Sequence, residues 1–289
     1  MKLNLKPHVT NNNASLGKRM TWQEITDLFA ERVGQEKNRR FKLWMLDQGK
    51  ICGGHPFFNA ETYYFCYRVA LKIQCHDNDH CTCVVGVEGS GKSTLAFQLA
   101  ATISDTFCMD NILYEPSDFF NQIEQAAKGD SIIIDEGILF LFGREASTSV
   151  NKDIMKLFTL IRQKNLHIII CIPQFKSLDT QLRQDRVDNL FNIYEKGLYE
   201  AHEKESIMII NDVYPKSKSI LKAVKTPLNY FCDGRFNKPF PVINDISEKK
   251  YKELKSQNLT DVIKRLRGRF EASTRKSSLT PTKEGKKDE

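Results

Sequence analysis

One segment, Gly86–Thr94, constrains the fold of this chain more than any other part of its sequence. It reads GVEGSGKST and fits the pattern G-x-x-x-x-G-K-[ST] at every fixed position. In such a segment, glycines let successive backbone N–H groups surround a chain of phosphates that larger side chains would keep away. It therefore predicts a site for the phosphates of a nucleoside triphosphate, with these contributing residues: Gly86, Glu88, Gly89, Ser90, Gly91, Lys92, Ser93 and Thr94.

The sequence on both sides of this segment, which we call the glycine loop, supports that prediction. Residues 83–87 form a mainly apolar run typical of a buried strand, and apolar residues recur at helical spacing after Thr94. A helix that begins there also turns the positive end of its dipole toward the phosphates. We expect Lys92 to contact the β and γ phosphates, and the Ser93 hydroxyl to bind Mg²⁺.

A second motif, Ser131–Glu136, reads SIIIDE. A β-branched run that ends in two carboxylates predicts a buried parallel strand that delivers both to the C-terminal edge of a sheet. Asp135 is then expected to hold Mg²⁺, and Glu136 to act as the general base that activates water. The alternative is an acidic turn after an ordinary strand, which the glycine loop upstream makes the weaker interpretation.

A third apolar run, residues 166–172, predicts another buried strand, and it ends at Pro173 and Gln174. A polar side chain at that point can contact the γ-phosphate or the attacking water, so Gln174 is a candidate sensor of the bound nucleotide. It could equally satisfy a backbone group at the turn. Further on, Asp233–Phe236 contains a glycine and predicts a turn.

These three landmarks, in this order, resemble the additional-strand division of P-loop ATPases. Within it, the pattern is similar to the HerA–FtsK type DNA-pumping ATPases and to the zonula-occludens-toxin-like and viral DNA-packaging ATPases. The resemblance covers about residues 84–197, and it includes an Asp179 and an arginine-bearing segment after Gln174. It implies a RecA/FtsK-like three-layer α/β sandwich with a mostly parallel central sheet.

The same resemblance implies Mg²⁺-dependent hydrolysis of ATP, coupled to translocation or packaging of double-stranded DNA without sequence preference. It also implies a ring-shaped homo-oligomer, such as a hexamer, in which an arginine of one subunit completes the site of the next. The sequence does not choose among four candidates for that catalytic role, which are Arg144, Arg162, Arg183 and Arg186.

Other classes of protein carry some of these motifs. An AAA+-like helicase loader or regulator would share the glycine loop and the Asp-Glu pair, but would be expected to have a C-terminal helical lid. A nucleotide-gated assembly protein would bind and slowly hydrolyse ATP without moving anything. A small-molecule kinase would need a lid and an acceptor pocket, and would usually lack the paired carboxylates.

Charge is unevenly distributed along the chain. Residues 1–51 contain 10 basic and 5 acidic residues, residues 248–289 contain 13 and 7, and the middle contains 20 and 24. Basic ends suit a polyanion such as DNA, although solvated tails are the alternative. We expect an N-terminal arm with a basic helix (1–51), an ATPase domain (52–243), and a basic C-terminal helix with a disordered tail from Ser273 (244–289).

Eight scattered cysteines favour free thiols in a reducing cytoplasm, which would be the host cytoplasm for a viral protein. No apolar run approaches the roughly 18 residues of a membrane-spanning helix, and the N-terminus does not have the pattern of a signal peptide. Cysteines and histidines cluster in residues 75–83, and Cys52 and His55 add a pair. The cluster contains no C-x-x-C, so a polar turn is favoured over a zinc site.

Overall fold

The computed structural model describes most of the predicted ATPase domain and a C-terminal helix. The described residues are 56–114, 116–135, 161–207, 230–236 and 246–278, with the isolated residues 44, 48, 51, 156, 158, 240, 241 and 244. The chain divides into two compact units, Met1–Ile246 and Ser247–Glu289. The predicted N-terminal arm lies almost wholly outside the described residues, so the division into three domains stays a prediction.

The first unit contains a sheet of seven described strands. They are β1 (His80–Gly86), β2 (Ile112–Leu113), β3 (Ser131–Ile134), β4 (His167–Ile172), β5 (Asn189–Glu195), β6 (Leu198–Glu203) and β7 (Tyr230–Arg235). Their order across the sheet is β2-β3-β4-β1-β5-β6-β7. Neighbours from β2 to β5 are parallel, and β6 and β7 add two antiparallel pairings. The mostly parallel α/β sheet predicted from the sequence is thereby confirmed.

Helices lie on both faces of this sheet. The described helices are α1 (Ala60–Cys75), α2 (Lys92–Ile103) and α3 (Pro116–Gln125), with α4 (Glu248–Ser278) in the second unit. Successive residues of a strand point to opposite faces. In β5, Leu190 belongs to the apolar cluster that includes Phe119 of α3, whereas the ring of Phe191 lies 5.4 Å from that of Phe65 in α1. The arrangement is therefore a three-layer sandwich.

Strand β4 lies between β1 and β3, because it pairs in parallel with both. All six of its residues are buried, as are the seven of β1 and the four of β3. Burial on both faces explains the continuous apolar runs Ile132–Ile134 in β3 and Ile168–Ile172 in β4. The strand that precedes the glycine loop is thus separated by one strand from the strand that precedes Asp135.

A buried polar layer closes the N-terminal edge of the same three strands. The ring of His167 in β4 lies between two hydroxyls, with Thr82 Oγ1 3.0 Å from Nε2 and Ser131 Oγ 3.1 Å from Nδ1. His80 in β1 packs beside it, with ring centroids 5.8 Å apart. Burial lowers the pKa of both imidazoles well below the usual value, so both are neutral in the folded protein.

Helix α4 extends to Ser278, which corrects the prediction that disorder begins at Ser273. The reason is visible in the sequence: between Phe270 and Pro281 the chain contains neither the glycine nor the proline that would end a helix. Two apolar side chains of this helix, Leu259 and Ile263, are 60% and 49% exposed.

Candidate nucleotide-binding site

The glycine loop joins β1 to α2 at the C-terminal edge of the sheet. Gly91, the last residue before α2, has φ 102° and ψ 22°, in the left-handed region that favours glycine. The helix begins one residue later, at Lys92, two residues earlier than the sequence suggested. Because the chain turns at Gly91, the first N–H groups of α2 face the glycine loop.

The N-terminus of α2 is suited to an anion. Gly91 offers no side chain to cap the helix, and the first turn contains no acidic residue. The first hydrogen bond of the helix runs from Leu95 N to Gly91 O at 3.0 Å, so the N–H groups before Leu95 have no partner within the helix. The helix dipole adds to the attraction for negative charge.

Lys92 points back across the loop. Its Nζ donates to Gly86 O at 3.0 Å and to Val87 O at 3.1 Å. These bonds hold the ammonium group at the concave side of the backbone that would enclose the phosphates. An ammonium carries three N–H donors, so it can exchange these carbonyls for phosphate oxygens without moving far.

A buried hydroxyl lies inside the loop. The Ser90 side chain is 5% exposed, and its Oγ has no hydrogen-bond partner among the residues that the structure describes. Its backbone N–H donates to Val87 O at 3.2 Å. A buried polar atom without a partner is costly, and a phosphate oxygen within the loop would offer an acceptor.

Ser93 and Asp135 bring the two predicted motifs together. Ser93 Oγ donates to Asp135 Oδ1 at 3.0 Å. Asp135, 1% exposed, directly follows β3, and its backbone N–H donates to Leu113 O at 3.0 Å, which fixes it at the sheet edge. A hydroxyl and a carboxylate are hard oxygen ligands of the kind Mg²⁺ prefers, so these two residues fit the predicted metal.

Gln174 lies at the same edge, just beyond β4, the strand between β1 and β3. Its side chain is exposed, and its carbonyl accepts hydrogen bonds from Ser177 N at 3.1 Å and Ser177 Oγ at 2.6 Å. Both hydrogen bonds from Ser177 to the Gln174 carbonyl close the turn that follows β4. Its role as a sensor stays a prediction.

The structure does not bring the arginine candidates together. Arg162, in the 3₁₀ turn before β4, and Arg186, at the end of a π-helical turn before β5, lie at the opposite, N-terminal edge of the sheet. Arg186 forms an ion pair with Asp79. Arg183 lies over the Phe175 ring at 6.0 Å and donates to Thr180 Oγ1, and burial lowers its pKa. Which arginine acts between subunits stays a prediction.

Two predicted residues cannot be placed. Glu136, the expected general base, and Arg144 lie outside the described residues. Glu88 and Gly89 are exposed in the loop, and Thr94 is partly exposed in the first turn of α2. Their part in nucleotide binding stays a prediction as well.

Sequence reasoning missed one residue that contacts the loop. A Cβ placed on Gly91 would lie only 2.9 Å from Cζ of Phe236, so this ring packs directly on the loop backbone. Phe236 follows β7, a strand where the sequence predicted a turn at residues 233–236. That prediction is wrong, and no local signal pointed to the contact, because it joins residues far apart in the chain.

The cysteine- and histidine-rich segment does not assemble a metal site in the described part of the chain, where no group of three or more potential ligands occurs. Cys81 and Cys83 are buried in β1, and burial raises the pKa of both thiols. Cys75 is exposed, and free thiols are found at Cys66, Cys75, Cys81, Cys83, Cys108 and Cys171. Cys52 and His55 lie outside the described residues. None of the described helices is long and apolar enough to cross a membrane.

No family model matches the sequence, and comparison with curated proteins found no match. Solved structures give low likenesses. The N-terminal domain of zonular occludens toxin from Neisseria meningitidis has 16% identity over 44% of this chain and 83% of its own, with a TM-score of 0.31. The genome packaging NTPase B204 of Sulfolobus turreted icosahedral virus 2, in complex with ATP-gammaS, has 14% identity over 46% and 95%, with a TM-score of 0.33.

A chain of a HORMA:CdnC:Trip13 complex from E. coli MS115-1 has 14% identity over 59% of this chain and 67% of its own, with a TM-score of 0.30. The first two structures are of the kinds that the sequence pattern resembles. The order of the parallel strands, together with the glycine loop joined to Asp135 through Ser93, gives this chain a mostly parallel α/β fold of the P-loop NTPase kind.

Proposed function

We propose that this protein is a Mg²⁺-dependent ATPase that uses hydrolysis to translocate or package DNA as a ring-shaped homo-oligomer. The observation that carries the ATPase assignment is the Ser93–Asp135 hydrogen bond beside the glycine loop. This bond joins a hydroxyl and a carboxylate, both of them ligand types that Mg²⁺ prefers, beside the loop amides and Lys92. A phosphate chain and its cation would be held there together.

The residues divide the chemistry among them. The loop amides and Lys92 bind and orient the phosphates, and they stabilise negative charge there. Ser93 and Asp135 would hold Mg²⁺, which when bound neutralises charge on the phosphate oxygens. Glu136 is proposed as the general base and Gln174 as the sensor of the γ-phosphate. An arginine from a neighbouring subunit would add positive charge to complete the site.

The DNA-directed part of the proposal is supported by charge. The C-terminal segment from Glu248 has 13 basic and 7 acidic residues, and most of its described side chains are exposed on α4. A cationic helix of this kind neutralises phosphates without reading bases. Binding would therefore be non-specific and sensitive to salt.

One alternative is a nucleotide-gated loader or assembly protein that moves nothing. In the described residues after β5, the chain continues as the antiparallel strands β6 and β7 rather than as the helical lid expected of an AAA+-like loader. This difference favours the translocase.

The decisive experiment measures the rate of ATP hydrolysis with and without double-stranded DNA, together with the molecular mass in ATP. A translocase should be stimulated by long duplexes and should assemble into a ring. If DNA does not change the rate of ATP hydrolysis and the protein nevertheless assembles when it binds ATP, the alternative is supported. Absence of ATP binding would reject both.

A further inference from the structure

We propose that Phe236 is a positioning residue for nucleotide binding, which holds the glycine loop in its phosphate-binding conformation from the β7 side. This inference rests on the proposed function and deepens it. The Phe236 ring occupies the space that a side chain on Gly91 would need. A Cβ placed on Gly91 would lie 2.9 Å from Cζ and 3.1 Å from Cε2 of this ring. Gly91 is the residue whose left-handed conformation directs the N-terminus of α2 toward the phosphates.

Phe236 is itself held in place. It is 6% exposed, and its backbone N–H donates to Gly197 O, in the turn between β5 and β6, at 2.9 Å. On β6, Tyr199 is fully buried, and its ring centroid lies 6.2 Å from that of Phe236. Two strands and a turn therefore fix the ring that supports the loop.

Tyr199 is anchored in turn by the start of α1. Its hydroxyl lies 2.5 Å from Thr62 Oγ1 and donates to Asn59 Oδ1 at 3.3 Å. Asn59 is the N-cap of α1, and its Oδ1 also accepts from Thr62 N at 3.2 Å. Contacts thus run from the cap of α1 through Tyr199 and Phe236 to Gly91.

Two sides of the loop then have separate tasks. On the β3 side, Ser93 and Asp135 would bind the cation. On the β7 side, Phe236 contacts the backbone of the loop. A looser loop lowers the fraction of the protein that is ready to bind ATP, whereas the complex that then forms is the same. Loss of the ring should therefore raise KM for ATP and leave kcat nearly unchanged.

The first test compares Phe236→Leu with Phe119→Leu. Both remove a buried ring, but Phe119 is in α3 and packs against Phe158 rather than the loop. For Phe236→Leu we expect KM for ATP to rise about tenfold, with kcat within about twofold, since a loop that is in its binding conformation only about one-tenth of the time binds ATP about tenfold more weakly. For Phe119→Leu we expect an unchanged KM. A Phe236→Leu protein with a lower melting temperature and a normal KM would overturn the proposal.

A second test uses the loop glycines. Gly91→Ala should weaken ATP binding less in a Phe236→Ala background than in the wild type, because the clash with the ring is then absent. Gly89 is the matched control: it has φ 71°, but a Cβ there meets nothing within 4 Å. Gly89→Ala should weaken ATP binding equally in both backgrounds. Equal losses for Gly91→Ala in the two backgrounds would contradict the proposal.

A third measurement does not depend on nucleotide. Hydrogen exchange of the loop amides should be faster in Phe236→Leu than in the wild type, and unchanged in Phe119→Leu. If the wild type binds no ATP, the proposed function fails, and this measurement still decides whether Phe236 positions the loop. If the wild type binds ATP and the exchange is unchanged, only the role of Phe236 fails.

Discussion

The hydroxyl of Ser93 donates to the carboxylate of Asp135 at 3.0 Å, although 41 residues lie between them in the sequence. The bond joins the first turn of α2 to the end of β3 across the inserted strand β4. It brings two short sequence motifs together in one site.

Lys92→Ala should abolish tight nucleotide binding and reduce hydrolysis by about 10²-fold or more, because it removes the cation that faces the phosphates. Binding can be followed with a fluorescent ATP analogue and hydrolysis by phosphate release. Lys128→Ala is the control, since Lys128 pairs with Asp77 at the other edge of the sheet. Wild-type hydrolysis by Lys92→Ala would mean that the site has been misassigned.

Glu136→Gln should still bind ATP but turn it over about 10²-fold more slowly, because the shape of the side chain is kept while the general base is lost. A stable ATP-bound protein should accumulate and be recoverable by gel filtration. Asp135→Asn should instead weaken the dependence of ATP binding on Mg²⁺. Normal turnover by Glu136→Gln would assign the base to another residue.

Arg183→Ala should lower hydrolysis while sparing ATP binding. Among the described candidates, Arg183 alone contacts the segment that follows Gln174, through Phe175. Mixing this variant with Glu136→Gln should restore some activity, because some interfaces then combine an intact arginine with an intact base. Arg186→Ala, which breaks the pair with Asp79, should mainly lower stability. Mixtures without any gain, or a monomer in ATP, would count against the ring.

Acid should destabilise the folded protein below about pH 6.5, the ordinary pKa of histidine. Burial lowers the pKa of His80 and His167, so the unfolded chain binds more protons there, and stability falls as the pH is lowered. Each histidine contributes a slope of up to about 1.4 kcal/mol per pH unit. Urea unfolding at several pH values measures it, and His167→Gln should flatten the curve.

A chain that ends at Ile246, the boundary of the first unit, should keep basal ATP hydrolysis, because every proposed catalytic residue precedes it. It should lose much of its affinity for DNA, and the salt dependence of that affinity should become shallower. A full-length variant with Lys264→Gln and Arg267→Gln separates charge from the presence of the helix. If the truncated chain binds DNA as tightly as the full chain, the C-terminal segment is a solvated tail and does not bind DNA.

The parts of the site that could be predicted from sequence are those in which the chemistry is local. The glycine loop and the run before Asp135 each contain their own strand pattern and functional groups, so their meeting at one sheet edge followed from parallel topology. The contact of Phe236 with Gly91 could not be predicted, because it depends on β7 joining the sheet three places from β1. Gly234 indicates a turn by its residue type, whereas it lies in β7, where a Cβ would be 2.5 Å from the Tyr199 hydroxyl.

The length of α4 determines how much duplex DNA the helix can contact at once. At about 1.5 Å per residue, its 31 residues extend about 46 Å, which exceeds the roughly 34 Å of one turn of duplex DNA. A duplex lying along this helix would thus present the same groove to it more than once. The minimum duplex that saturates binding should accordingly be longer than about ten base pairs, and a helix shortened by half should shorten that minimum in proportion.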